Sequence, residues 1–222
     1  MHFVSPELII FDCDGVLIDS EAIACRADSA CLAEIGIALP ADEIMERYLG
    51  ISATAMCADI EQRFRRTLPA DFAETLRLRV AAAFESGLIP IAGVEAVLAA
   101  LPQRHCVASS SAPERLRHSL SLAGLLRCFE PHVFSATEVA RGKPAPDLFL
   151  FAAASMQVAP VGCVVIEDSV PGVQAAVAAG MRAIGFTGGS HCRPGHAERL
   201  RAAGAVAVTA AMGALPALVA RA

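Results

Sequence analysis

Short, uninterrupted apolar runs alternate along the chain with longer stretches whose apolar positions recur every three or four residues. The runs fall at 8–11, 106–108, 132–134, 163–166, 182–186 and 205–208. Helical spacing marks 113–122, 146–156, 171–179 and 195–203 between the later runs. A strand that is apolar at every position is buried on both faces, the habit of parallel sheets. Strands of that kind separated by helices predict an α/β fold, a Rossmann-like parallel sheet covered on both sides. Ligands of such sheets bind beyond the carboxyl ends of the strands.

One interval breaks the alternation. The first run ends at Phe11 and the next begins at Cys106, about three times the ~30 residues of a strand–helix–strand unit. Helical patterning at 21–35, 41–48, 52–67 and 70–86 fills it, punctuated by Leu39-Pro40, Leu49-Gly50 and Leu68-Pro69. The reading is an inserted helical domain at 20–88 within a core made of 1–19 and 89–222. Residues 93–100 supply the helix that returns to the sheet. A lobe inserted straight after the first strand is expected to overhang the strand ends.

Composition narrows the function classes. Of 222 residues, 55% are hydrophobic and 18% charged, enough for a core and no basis for wholesale disorder. The net charge of −5 and the absence of a basic run argue against a dedicated nucleic-acid binder. The uncharged stretch 202–220 is Ala-rich and broken by Gly204, Gly213 and Pro216. It reads as a strand, a turn and a helix rather than a membrane span. Residues 1–7 lack the pattern of a secretory leader, and a cytoplasmic protein is expected. None of the eight cysteines forms a Cys-x-x-Cys pair, so they read as reduced core residues rather than zinc ligands. The six histidines show no ligand spacing. His191 and His196, flanking a loop after Gly188-Gly189, are expected at the surface.

The candidate chemistry lies where apolar runs end. Leu8-Ile9-Ile10-Phe11 runs into Asp12-Cys13-Asp14-Gly15. Two carboxylates two residues apart on extended chain point the same way, and setting them against a buried strand is costly without a cation. Val164-Val165-Ile166 likewise runs into Glu167-Asp168-Ser169, although Asp168 alone also suits a helix cap. Two strands ending in acidic pairs make a hard-oxygen cluster suited to Mg²⁺. Cys106-Val107-Ala108 ends in Ser109-Ser110-Ser111, hydroxyls and N–H groups able to hold a phosphate before a helix. Ser111 with Glu114 matches a capping box, which leaves Ser109 first and Ser110 second as phosphate contacts. Lys143 lies between Gly142 and Pro144, ahead of a helix begun by Pro146 or Asp147. A surface loop would explain it in isolation; beside a carboxylate cluster it would bind phosphoryl oxygen.

These elements resemble the haloacid dehalogenase superfamily. Phe11-Asp12-Cys13-Asp14-Gly15-Val16-Leu17-Ile18-Asp19-Ser20 is similar to its first motif. Ser109, Lys143 and Glu167-Asp168-Ser169 fall in the order and strand-end positions of the other three. The insert matches the C1-type helical cap of the sugar-phosphatase and phosphomutase branch, and 19–27 resembles 6-phosphogluconate-phosphatase-like members. The resemblance implies Asp12 as nucleophile forming an aspartyl-phosphate, and Asp14 as the acid for the leaving oxygen and then the base for water. It implies Mg²⁺ held by the Asp12 carboxylate, the Asp14 backbone carbonyl and Asp168, with Glu167 nearby or ligating. Ser109 and Lys143 would hold the phosphoryl group.

Departures from the family pattern bear on substrate. Gly50-Ile51-Ser52-Ala53 lacks the arginine, and Ala24 replaces the histidine, that the phosphomutase pattern carries. That disfavours a β-phosphoglucomutase-like mutase, which stands as the alternative enzyme. The loop also lacks lysines suited to a sugar acid. A regulatory module that binds phosphate esters without turnover is a further alternative, disfavoured by the intact Asp12 and Asp14. The expected partner is a small phosphate ester, not nucleic acid or membrane. The choice between monomer and homodimer stays open.

Overall fold

The structure, a computed structural model, describes residues 6–49, 51 and 53–222. Among these, six strands form one parallel sheet: β1 Leu8–Phe11, β2 Arg104–Ser109, β3 Val133–Ser135, β4 Cys163–Glu167, β5 Arg182–Phe186 and β6 Ala207–Thr209. Their order is β3-β2-β1-β4-β5-β6. The helices are α1 Glu21–Glu34, α2 Ala41–Tyr48, α3 Ala53–Phe64, α4 Phe72–Gly87, α5 Val94–Ala100, α6 Pro113–Leu122, α7 Leu126–Phe129, α8 Asp147–Ser155, α9 Val170–Ala178, α10 His196–Ala202 and α11 Leu215–Val219. This is the expected Rossmann-like α/β architecture. Among the described residues no helix is long and apolar enough to cross a membrane.

β1 lies at the sheet centre. Phe11 is in register with Val107 of β2 and Ile166 of β4. Leu8, Ile9, Ile10 and Phe11 are all at most 1% exposed, because helices cover both faces of the strand. Fully burying side chains of this size contributes about 1.5–3 kcal/mol each. The register decides the chemistry, since it brings Asp12, Ser109 and Glu167 to one edge of the sheet.

Contacts divide the chain into two compact units: the chain through Asp19 with Ile89–Ala222, and Ser20–Leu88. The insertion point is pinned within the first unit. The Cys13 carbonyl accepts from the Val16, Leu17 and Ile18 amides, and Gly15 N–H donates to the Ile18 carbonyl at 2.8 Å. Gly15 adopts a φ of +77°, a conformation that glycine takes without steric cost. Asp19 N–H then donates to the Ile89 carbonyl and Ile91 N–H to the Leu17 carbonyl. The two ends of the insert thus meet across backbone hydrogen bonds, and closing a long loop over a fixed gap adds little entropic cost per residue.

In Ser20–Leu88, α1 to α4 pack around Leu32, Ile44, Ile60, Phe72 and Leu76. Tyr48 is buried, and its hydroxyl donates to Asp59 Oδ2 at 2.6 Å. Arg47, Tyr48, Ile51, Ala55 and Asp59 line a pocket of about 420 Å³. Gly50 and Ser52, half of the loop in which the phosphomutase arginine is missing, lie outside the described residues.

Several boundaries differ from the sequence reading. α3 stops at Phe64, short of residue 67, where Arg65 turns to a positive φ of 49°. β6 begins at Ala207 rather than at residue 205, because Ala205 and Val206 first close the turn after α10: their amides donate to the Leu200 and Ala183 carbonyls. The alanine-rich end resolves into β6, a 3₁₀ turn at Met212–Ala214 and α11.

Candidate active site

Asp12 leaves β1 with its N–H on the Ile166 carbonyl at 3.0 Å, so the sheet itself aims the residue. Asp12, Glu167 and Asp168 are 7%, 0% and 3% exposed. One oxygen from each lies within 4.8 Å of the others. Burial pushes the Asp12 carboxyl well above its ordinary pKa. Lys143 opposes the shift, and Glu167 and Asp168 add to it. Burial also raises Asp168, with Glu167 adding and Lys143 opposing.

Lys143 answers part of that charge. Its Nζ donates to Asp12 Oδ1 at 2.8 Å and Glu167 Oε1 at 2.6 Å, and lies 5.1 Å from the Phe149 ring centroid. Burial works against its charged form, but Asp12 and Glu167 outweigh burial and hold its pKa above the ordinary lysine value. The loop that delivers it is braced from both sides. Arg141 makes a two-pronged pair with Asp147, at 3.1 and 2.8 Å, and Ala145 N–H closes a turn on the Gly142 carbonyl. The surface-loop alternative for Lys143 is thereby excluded.

Both Glu167 oxygens are engaged by protein donors. Oε1 takes Lys143; Oε2 takes the Ser169 N–H at 2.7 Å and the Ser169 hydroxyl at 2.9 Å. Ser169, not Asp168, is the N-cap of α9, its Oγ accepting from Gly172 N–H at 3.1 Å. The first turn of α9 rests directly on the Glu167 carboxylate, and a Cβ at Gly172 would collide with it.

Asp14 is held apart from this cluster. Ser111 Oγ donates to its Oδ2 at 2.7 Å and Arg115 donates to its Oδ1 at 3.2 Å. The capping box expected of Ser111 and Glu114 is therefore not formed. α6 begins at Pro113 after Ala112, with no side-chain cap, because the tertiary acceptor Asp14 takes the hydroxyl. Ser109 is 1% exposed, and its Oγ accepts the Ser111 N–H at 3.1 Å. Ser110 is exposed. Cys13, between the two aspartates, is buried with its thiol pKa pushed well up by burial and the adjacent carboxylates. It cannot act as a ready thiolate.

His191 and His196 correct the sequence reading: they are 3% and 6% exposed, not at the surface. His191 Nε2 lies 2.9 Å from Asp168 Oδ2. His196 Nε2 donates to the Asp168 carbonyl at 2.5 Å, while its Nδ1 accepts from Arg199 at 3.0 Å. Burial lowers the His196 pKa, in keeping with a neutral ring whose tautomer those two bonds fix. Residues 180–200 carry no acidic pair or strand-end motif to signal this role. Arg115 had no sequence signal either.

Among the described residues two side-chain groups could hold a metal ion: Asp12, Glu167 and Asp168, and His191, Cys192 and His196. In the second, both His196 nitrogens are already hydrogen-bonded. The first is an all-oxygen set with surplus negative charge and carboxyls pushed toward protonation, which fits a hard divalent cation.

A protein-family model of haloacid dehalogenase-like hydrolases matches residues 6–180. The chain belongs to that family. Along most of its length it has curated phosphatase relatives, and it is an enzyme of the phosphoric monoester hydrolase type. The 6-phosphogluconate phosphatase of Escherichia coli is 34% identical over 189 residues, covering 85% of this chain and 86% of that protein. A haloacid dehalogenase-like protein of unknown function from Agrobacterium tumefaciens superposes with a TM-score of 0.86 at 41% identity, covering 97% and 98% of the two chains. A family hydrolase from Deinococcus radiodurans, solved with bound phosphate and sodium, gives 0.80 at 34% identity and covers 98% and 97%.

Proposed function

We propose that this hydrolase is a Mg²⁺-dependent phosphatase of small phosphate monoesters, sugar phosphates foremost, acting through an aspartyl-phosphate on Asp12. The observation that carries the reading is the Lys143 ammonium bridging Asp12 and Glu167 at one strand edge, with Asp14 poised separately beside it. Similarity to the 6-phosphogluconate phosphatase supports the substrate class. The unit Ser20–Leu88 is read as a C1-type cap that selects the leaving group, and the eight free thiols agree with a reducing, cytoplasmic setting.

Asp12 and Asp168 carboxylates with the Asp14 carbonyl would hold Mg²⁺, and Glu167 with both oxygens on protein donors would stand next to it. When bound, the ion supplies charge neutralisation for the carboxylates and the phosphoryl group. Lys143 and the Ser109–Ser110 segment bind phosphoryl oxygens. An Asp12 oxygen attacks phosphorus in line as the bond to the ester oxygen breaks, and Asp14 in its acid form protonates that oxygen. Asp14, now a carboxylate, takes a proton from water as the water oxygen attacks the aspartyl-phosphate. The P–O bond to Asp12 breaks, phosphate leaves and both residues return to their starting forms. Uncatalysed phosphate-monoester hydrolysis is so slow that rate enhancements on the order of 10²¹ are reached, and positioning with charge stabilisation is the available means.

The test is phosphate release from a panel of 6-phosphogluconate, hexose, pentose and glycerol phosphates and phosphoglycolate, with and without Mg²⁺, for wild type and Asp12→Asn. Mg²⁺-dependent release that the variant loses is expected. Release that survives in Asp12→Asn would overturn the nucleophile. Silence across the panel together with β-glucose 1-phosphate conversion, given a bisphosphate activator, would favour the phosphomutase instead.

A further inference from the structure

The loop following β5 is drawn onto the acidic cluster by contacts that the reaction above does not use. Ser190 donates from both its N–H and its hydroxyl to Asp19 Oδ1, at 2.9 and 2.8 Å. A Cβ on Gly189 would stand 2.9 Å from the Gly15 carbonyl oxygen and 2.7 Å from the His191 ring. A Cβ on Gly15 would collide with Asp168 Oδ2 and stand 2.7 Å from His191 Cε1. Two glycines thus admit the His191 imidazole edge-on between the β1 loop, its own loop and Asp168. The His191 side chain is 1% exposed and that of Asp168 4%.

Asp168 needs this support. It follows Glu167 directly, is buried with two other carboxylates, and is not a partner of the Lys143 ammonium, which pairs with Asp12 and Glu167. Charge repulsion and desolvation both favour rotating it out or protonating it. His191 fixes Oδ2 from the side and leaves Oδ1 for another partner. His196, the first residue of α10, fixes the backbone carbonyl of the same residue.

We propose that His191 and His196 are positioning residues that hold Asp168 in a cation-binding orientation, so that the loop after β5 sets the metal affinity of the site. The inference rests on the metal assignment above. The donor is the imidazole Nε2–H, which faces Asp168 Oδ2 and also lies 3.4 Å from Cys192 Sγ. Outer-sphere partners of this kind are worth about 10–100-fold in metal affinity.

The experiment compares wild type with His191→Leu, His191→Gln and His191→Asn. The leucine removes the donor while filling the space. Glutamine returns an N–H near the Nε2 position, and asparagine withdraws it toward the backbone. Mn²⁺ dissociation constants are read on substrate-free protein by electron paramagnetic resonance, and Mg²⁺ dependence and KM by steady-state assay. The leucine and asparagine variants should bind Mn²⁺ about 10–100-fold more weakly, with glutamine within a few-fold of wild type. Activity at saturating Mg²⁺ and KM for the ester should change little. Unaltered Mn²⁺ affinity in a folded leucine or asparagine variant, or equal loss in all three, would overturn the proposal; if leucine prevents folding, the asparagine–glutamine contrast decides. A wild type that fails to bind Mn²⁺ would overturn it with the metal assignment. Mn²⁺ binding without hydrolysis would overturn the phosphatase reading alone.

Discussion

Replacing Lys143 with methionine removes the one ammonium in the acidic cluster and keeps most of the side-chain volume. The lysine side chain is 6% exposed, and the side chains of its two partners, Asp12 and Glu167, are 11% and 0% exposed. Deleting one partner of a buried ion pair costs about 3–5 kcal/mol because the remaining charge is left uncompensated. For a chain of this size each kcal/mol moves the melting midpoint by about 2–4 °C, so a fall of roughly 6–20 °C is expected in EDTA at pH 8. The pH dependence has a definite sign. Asp12 and Asp168 already have raised folded-state pKa values, and Lys143 is the influence that restrains both. Without it they rise further. A carboxyl whose folded pKa exceeds its unfolded value of about 4 binds more protons when folded, so stability falls as pH climbs above that value. The deficit should therefore shrink on going from pH 8 to pH 5.5, and Mg²⁺ should narrow it at pH 8. Thermal unfolding followed by circular dichroism, with and without Mg²⁺ at both pH values, reads all three effects. A variant as stable as wild type at pH 8 in EDTA, or a deficit that grows on acidification, would refute the reasoning.

Two further outcomes are expected. Gly172→Ala should destabilise the fold by about 1–3 kcal/mol or more, read by urea denaturation, because the added methyl meets the Glu167 carboxylate at the start of α9. Iodoacetamide at pH 7.5 should leave Cys13, Cys106 and Cys163 unmodified in the native protein by mass spectrometry. All three are buried, and the Cys163 thiol is pushed up to about 11 by burial and Glu7.

How much could be read in advance follows from the range of the forces involved. β1 and β4 were legible because burial on both faces leaves a four-residue apolar run, and an acidic pair at its end stands out against it. Parallel register then brings Asp12, Ser109 and Glu167 to one edge without any detail of side-chain packing. The spacing pointed to an insert at 20–88, because one interval is too long for a single crossover. Ser111 was misread because its pattern with Glu114 is local, while its actual acceptor, Asp14, is 97 residues away. His191 and His196 were misread because a histidine in a Gly- and Pro-bounded loop carries no periodicity. Their burial comes from the Ser190–Asp19 contact and from two glycines that let separate loops close together. Chain pattern along one strand is enough to say where carboxylates gather. Which donor each carboxylate finds depends on loops that converge from distant parts of the chain, and only the folded chain brings those donors within hydrogen-bond reach.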